Sequence, residues 1–141
     1  KKTVYNFYRD DILTPQPLSP FFLNAAICYM ACRLAKNSQA NALVGMTQSG
    51  YTAFMLSSYR PKTPLYIFSK EKTLISQSSL SWGVRAFYYA EEESLDDIIF
   101  DQINNLKERG CLNPGDVVIN TGSTPVDLHL PTNIVKITTV E

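Results

Sequence analysis

The densest run of chemistry-bearing side chains is Thr47-Gln48-Ser49-Gly50-Tyr51-Thr52. Three hydroxyls surround a glycine that lets the backbone come close to a ligand, and helical spacing begins at residues 49–58. Unsatisfied amides at a helix N-terminus, joined by hydroxyl donors, suit phosphate oxygens. Capping that helix needs only one hydroxyl, from Thr47 or Ser49. Three exceed the need, which favours an anion site at Thr47, Ser49, Gly50 and Thr52. A second polar run, Thr121-Gly122-Ser123-Thr124-Pro125, opens a loop to Asn133. Its length, about a dozen residues without a signal for regular structure, is more often functional than ornamental.

The other chemistry-bearing residues read as structural. His129 is the only histidine and no nucleophile pattern accompanies it. The run Glu91-Glu92-Glu93 reads as a solvated charge run, and Asp96 and Asp97 as favourable charge at a helix start. Cys28 and Cys32 stack on one helix face as small hydrophobes. With Cys111 they show no metal spacing and no disulfide framework, which fits a reducing cytosol. Neither a Walker loop nor a dinucleotide fingerprint is present. No catalytic constellation emerges.

The elements that must position these loops alternate along the chain. Ser19-Pro20 reads as a cap and first turn, and residues 21–36 carry apolar side chains three or four apart. Strands are expected at residues 42–47, 64–69, 84–89, 116–121 and 134–140. Helices are expected at 49–58, 72–80 and from the Ser94 cap to Gly110. Strands alternating with helices predict an α/β domain: three layers, αβα, with a mostly parallel sheet. The last connection lacks a crossover helix, so the fifth strand is expected to return antiparallel. If the order is 3-2-1-4-5, both polar loops open on the crevice where strand order reverses. Residues 1–18, broken by Pro15 and Pro17, read as an arm or linker before a domain at 19–141.

With 13 basic and 13 acidic residues the net charge is zero, which argues against a polybasic nucleic-acid or membrane binder. No apolar run reaches the roughly 20 residues of a membrane helix.

Six segments, in order, resemble the C-terminal domain of pyruvate kinase. They are Thr47-Gln-Ser-Gly-Tyr-Thr52, Tyr59-Arg60-Pro61 with Pro64, Trp82-Gly83-Val84, Leu112-Asn-Pro-Gly-Asp-Val-Val-Ile119, Thr121-Gly122 and Thr132-Asn133-Ile134. The resemblance implies a five-stranded mixed sheet of order 3-2-1-4-5. It also implies a regulatory and assembly role in a cytoplasmic glycolytic enzyme. Thr47, Ser49, Gly50 and Thr52 would hold an effector phosphate, and Thr121, Gly122 and Ser123 would begin the loop that closes over it. Phosphoryl transfer from phosphoenolpyruvate to ADP, with magnesium and potassium, would occur in a barrel outside this chain, and this domain would need no cofactor. The chain, which starts at Lys1, would be an excised piece, inactive alone, forming a homodimer by itself and a tetramer in the parent.

Relatives that use fructose 1,6-bisphosphate supply a tryptophan and an arginine before the fourth strand. Residues 94–106 here contain no tryptophan, arginine or lysine, and residues 123–131 contain no glycine. A sugar monophosphate or nucleoside monophosphate is therefore the expected effector. The alternatives are a flavodoxin-like module binding FMN, since T-x-S-G-x-T also resembles its phosphate loop, and an assembly domain without an effector.

Overall fold

The computed structural model describes residues 20–47, 50–78, 83–90, 94–123 and 132–141. The expected arm at 1–18, the Ser19 cap, Gln48, Ser49, Trp82, the acidic run 91–93 and the segment 124–131 with His129 lie outside them. The elements run α1 (Pro20–Ser38), β1 (Ala42–Met46), α2 (Tyr51–Ser58), β2 (Leu65–Ser69), α3 (Lys72–Ser78), β3 (Val84–Tyr88), α4 (Leu95–Glu108), β4 (Val117–Gly122) and β5 (Ile134–Thr139). The sheet order is β3-β2-β1-β4-β5. The pairs β1–β2, β2–β3 and β1–β4 are parallel and β4–β5 is antiparallel, as the lack of a helix signal in the sequence between them predicts.

Side-chain alternation along the strands divides the interior into two cores. Leu43, Ile67 and Ile119 pack with Cys28, Ala31, Cys32 and Ala35 of α1 and with Ala53 and Leu56 of α2. Val44, Phe68 and Val118 point the other way and pack with Ile98, Ile99, Ile103 and Leu106 of α4. Every residue of β2 is buried, the pattern of a central parallel strand covered on both faces. Both cysteines expected in the core are there, and burial pushes each thiol up to about 12 from an ordinary 9.0. The most buried face of α1 is rotated slightly from the apolar stripe. It includes Asn24, 4% exposed, because that amide has a buried partner in Thr52 of α2 and a second in Cys28 one turn on.

Local signals set the element ends. The Ser94 hydroxyl accepts from the Asp97 amide at 3.3 Å and caps α4, whose first turn carries Asp96 and Asp97. After α2, Arg60 takes a φ of 48° directly before Pro61, so no helix can continue. The turn before β4 is closed by Asp116, whose carboxylate accepts from the Asn113 amide at 2.9 Å. Gly115 sits there with φ 93°.

One strand position is tightly enclosed on three sides. A Cβ on Gly45 would lie 3.1 Å from Ile67 Cδ1, 3.1 Å from Thr121 Oγ1 and 3.2 Å from Leu56 Cδ1. Gly45→Val should therefore destabilise the domain by roughly 1–3 kcal/mol or more, read as a lower urea midpoint. The thiols generate a second expectation. Below about pH 9 Cys28 and Cys32 are neutral in folded and unfolded chains alike. Between 9.0 and about 12 the unfolded chain releases protons that the folded chain retains, so stability should fall as pH rises. Urea midpoints at pH 8 and 10.5 check the sign, and Cys28→Ala with Cys32→Ala should flatten the slope.

Candidate functional site

Strand order reverses between β1 and β4. The chain lays β2 and then β3 on one side of β1, and puts β4 and β5 on the other. In open α/β sheets ligands bind in the crevice beyond the carboxyl ends of such strands. Gly45 pairs with Thr121, so Thr47 after β1 and Ser123 after β4 leave the sheet at nearly the same level. The two polar loops singled out by sequence are thus neighbours. That juxtaposition follows from the topology.

Thr47 is buried at 5% exposure, and its amide extends the ladder by donating to the Phe68 carbonyl at 3.1 Å. Its hydroxyl oxygen accepts from the Gly50 amide at 3.0 Å, which ties the end of β1 to the start of α2. Gly50 adopts φ 84° and is the N-cap of α2, with no side chain capping the helix. A Cβ there would meet Leu74 Cδ2 at 3.3 Å, so glycine is favoured by both conformation and space. The Gly50 carbonyl accepts from Phe54, leaving the amides at 51–53 without an acceptor inside the helix. Ser49 lies outside the described residues.

Thr52 is placed differently from a simple lining residue. Its hydroxyl is buried, 2.8 Å from Thr132 Oγ1, and receives the Asn24 amide at 3.4 Å. The Cys28 thiol donates in turn to Asn24 Oδ1 at 3.3 Å. This chain of side-chain bonds ties α1, α2 and the segment entering β5 together. Asn24 and Thr132 are the site residues that sequence reading missed. Nothing local marks Asn24 as buried, since Leu23 beside it is exposed, and Thr132 stood out only as part of the segment Thr132-Asn133-Ile134.

Across the crevice, Thr121 is 5% exposed and donates its hydroxyl to the Val44 carbonyl at 3.3 Å, bracing β4 against β1. The Gly122 carbonyl accepts from the Asn133 amide at 2.9 Å, closing the neck of the 123–132 loop. A Cβ on Gly122 would lie 3.1 Å from Leu95 Cδ1, so the glycine lets α4 settle onto the strand end. Ser123, half-buried, is the first residue beyond β4.

Two helix N-termini flank this end of the sheet, and their electrostatics differ. The first turn of α4 already carries Asp96 and Asp97, with Asp96 paired to Lys136 at 3.2 Å. The first turn of α2 carries no acidic residue. Of the two, the positive end of α2 is the one beside the crevice whose field remains available to an anion. Among the described residues no group of three or more His, Cys, Asp or Glu could hold a metal ion, and no helix is long and apolar enough to cross a membrane.

Comparison with known proteins agrees with this architecture. Residues 25–138 match the family described as pyruvate kinase, alpha/beta domain. The chain is 30% identical over 110 residues to a pyruvate kinase of Clostridium acetobutylicum, covering 78% of this chain and 23% of that protein. It is 30% identical over 130 residues to a pyruvate kinase of Sporosarcina psychrophila, covering 92% and 22% respectively. Against the chloroplastic pyruvate kinase isozyme A of Nicotiana tabacum it is 28% identical over 97 residues, covering 69% and 16%. The chain thus spans less than a quarter of the length of these relatives. With the match running from α1 into β5, the chain belongs to the pyruvate kinase alpha/beta domain family, as its C-terminal domain.

Proposed function

We propose that this chain is the regulatory and subunit-assembly domain of a cytoplasmic pyruvate kinase, and that it binds a phosphorylated effector at the 47–52 loop. The observation that carries the reading is the acid-free N-terminus of α2, opened by Gly50 at the point where strand order reverses. The phosphate is held by the amides at 51–53 and the hydroxyls of Thr47 and Ser49. Thr52 contributes its amide, since its own hydroxyl is engaged with Thr132. The loop starting at Thr121, Gly122 and Ser123 closes over the ligand. The carboxylates of Asp96 and Asp97 make a second phosphate unwelcome at the opposite wall, which favours a monophosphate.

Transfer of the phosphoryl group from phosphoenolpyruvate to ADP, with magnesium and potassium, belongs to a barrel domain that precedes this one in the parent enzyme. Assembly draws on β5, an edge strand whose outer side has no strand partner among the described residues. Leu23, Met30 and Phe54, each more than half exposed on α1 and α2, add apolar surface for a second copy. The isolated domain then dimerises and the parent forms a tetramer.

Thermal unfolding of this chain with AMP, ribose 5-phosphate, glucose 6-phosphate, fructose 1,6-bisphosphate and FMN tests the reading. A ligand binding only the folded state stabilises it by about 2.7 kcal/mol at a hundredfold excess over Kd. A saturable shift with a sugar or nucleoside monophosphate, lost in Ser49→Ala, is expected. No shift with any of these ligands would leave an assembly domain, and a shift with FMN alone would favour the flavin alternative. Thr52→Val should behave in the opposite way to Ser49→Ala. It orphans the Asn24 and Thr132 side chains and should cost about 1–3 kcal/mol of stability while the ligand-induced shift persists.

A further inference from the structure

The sheet edge opposite β5 is β3, which pairs with β2 and with no other strand among the described residues. The Tyr89 amide just past β3 donates to the Ser69 carbonyl of β2 at 2.8 Å. Successive peptide groups of a strand point to opposite sides, so Arg85 and Phe87 also turn their amides and carbonyls toward β2. Ala86 and Tyr88 therefore turn theirs outward, away from the sheet. Such an open row of donors and acceptors is a template for a further strand.

The side chains along this edge carry one sign of charge. On the α4 face the guanidinium carbon of Arg85 lies 5.8 Å from the Tyr66 ring centroid and 5.6 Å from that of Phe87. Arg109, just past α4, brings a second guanidinium to the same Phe87 ring at 4.4 Å. Tyr66 and Phe87 stack at 6.3 Å with 24° between their planes, which gives both cations a shared aromatic floor. Arg85 is further held by donating to the Cys111 sulfur at 3.5 Å, and Arg109 by donating to Asn105 Oδ1 at 2.6 Å. On the opposite face Lys72 sits 5.3 Å from the ring centroid of Tyr88, itself 50% exposed. None of Lys72, Arg85 and Arg109 is paired with a carboxylate among the described residues. One charged side chain is enough to blunt an edge against self-pairing. Two guanidiniums fixed on one ring repel each other, and a carboxylate beside the strand relieves that repulsion through planar, charge-assisted hydrogen bonds.

We propose that β3 receives an extended acidic segment of a partner protein as an added strand, with carboxylates two residues apart facing Arg85 and Arg109. The outward backbone of Ala86 and Tyr88 supplies the ladder, and the two arginines select the sequence that pairs with it. Alternate side chains of a strand share a face, so acidic residues at alternate positions all fall on the α4 face. The residue between them lies on the face of Tyr88, where a β-branched side chain packs well. A second copy of this chain does not supply such a segment from its own sheet edges. β3 holds Arg85 and no acidic residue, and β5 holds Lys136 and no acidic residue, so either would set like charges together.

Fluorescence anisotropy of this chain with a dye-labelled peptide amide, Thr-Glu-Val-Glu-Val-Thr, tests the proposal. Replacing both glutamates by glutamine should weaken binding about tenfold, and added salt should weaken the acidic peptide alone. The acidic peptide with every internal amide methylated keeps its charges but cannot add as a strand, so its binding should be lost. Amide hydrogen exchange at Ala86 and Tyr88 should slow in the complex. Arg85→Ala combined with Arg109→Ala should bring the acidic and glutamine peptides to equal affinity. Both side chains are exposed, so this variant is expected to fold, and thermal unfolding checks it. The peptide comparisons on the unaltered chain decide the matter if it does not. Equal binding of the acidic and glutamine peptides would overturn the role of the arginines. Undiminished binding of the methylated peptide would reduce the site to plain charge attraction and overturn the added strand. No binding of the acidic peptide, or its displacement as the chain self-associates with rising concentration, would overturn the proposal as a whole.

Discussion

The 2.8 Å contact between the hydroxyls of Thr52 and Thr132 is the interaction on which the arrangement of this crevice depends. Eighty residues separate the two in sequence. One stands in the first turn of α2 and the other at the end of the loop returning to β5. A buried hydroxyl must find a partner or lose stability, so the two elements are held in one relative position. Asn24 adds its amide to Thr52, and through Cys28 the same chain of bonds extends into the core of α1. The loop from Ser123 onward is thereby anchored at both ends, by Gly122 to Asn133 at its neck and by Thr132 to α2.

Two glycines make that arrangement sterically possible. At Gly45 the absence of a side chain lets Leu56, Ile67 and Thr121 converge, bringing α2 down onto the strand. At Gly122 the same absence admits Leu95, so α4 reaches the end of β4 from the other face. Both helices therefore begin at the carboxyl end of the sheet, one on each side of the reversal in strand order. What distinguishes them is charge. Asp96 and Asp97 neutralise the dipole of α4, whereas α2 presents backbone amides without competing carboxylates. A fold that is symmetric in its helix placement is made asymmetric in its chemistry by two residues.

The polar interior under α4 shows a different use of the same geometry. Gln102 and Asn120 interrupt a surface of isoleucine and valine and meet there through an amide–amide hydrogen bond of 3.4 Å. On β4, Asn120 stands two residues before Gly122, the last residue of the strand. By contrast, the thiols of Cys28 and Cys32 sit deep in the α1 core, where burial keeps them protonated and chemically quiet.

The sequence alone determined the element order, the antiparallel return of β5 and the two polar loops. Each of these rests on local signals: hydrophobic period, turn residues, caps such as Ser94, and the lack of a helix signal in the sequence after β4. The ordered motifs pointed to the family, because Gly50, Pro61 and Gly115 mark backbone turns that demand those residues. Where the Thr52 side chain points was not legible, nor was the burial of Asn24, Gln102, Asn120 and Thr132. Polar residues look alike in sequence whether they face water or a partner brought from a distant segment. Only packing of the two helix layers against β1 and β4 decides which hydroxyl is left for a ligand and which is consumed in holding the crevice together.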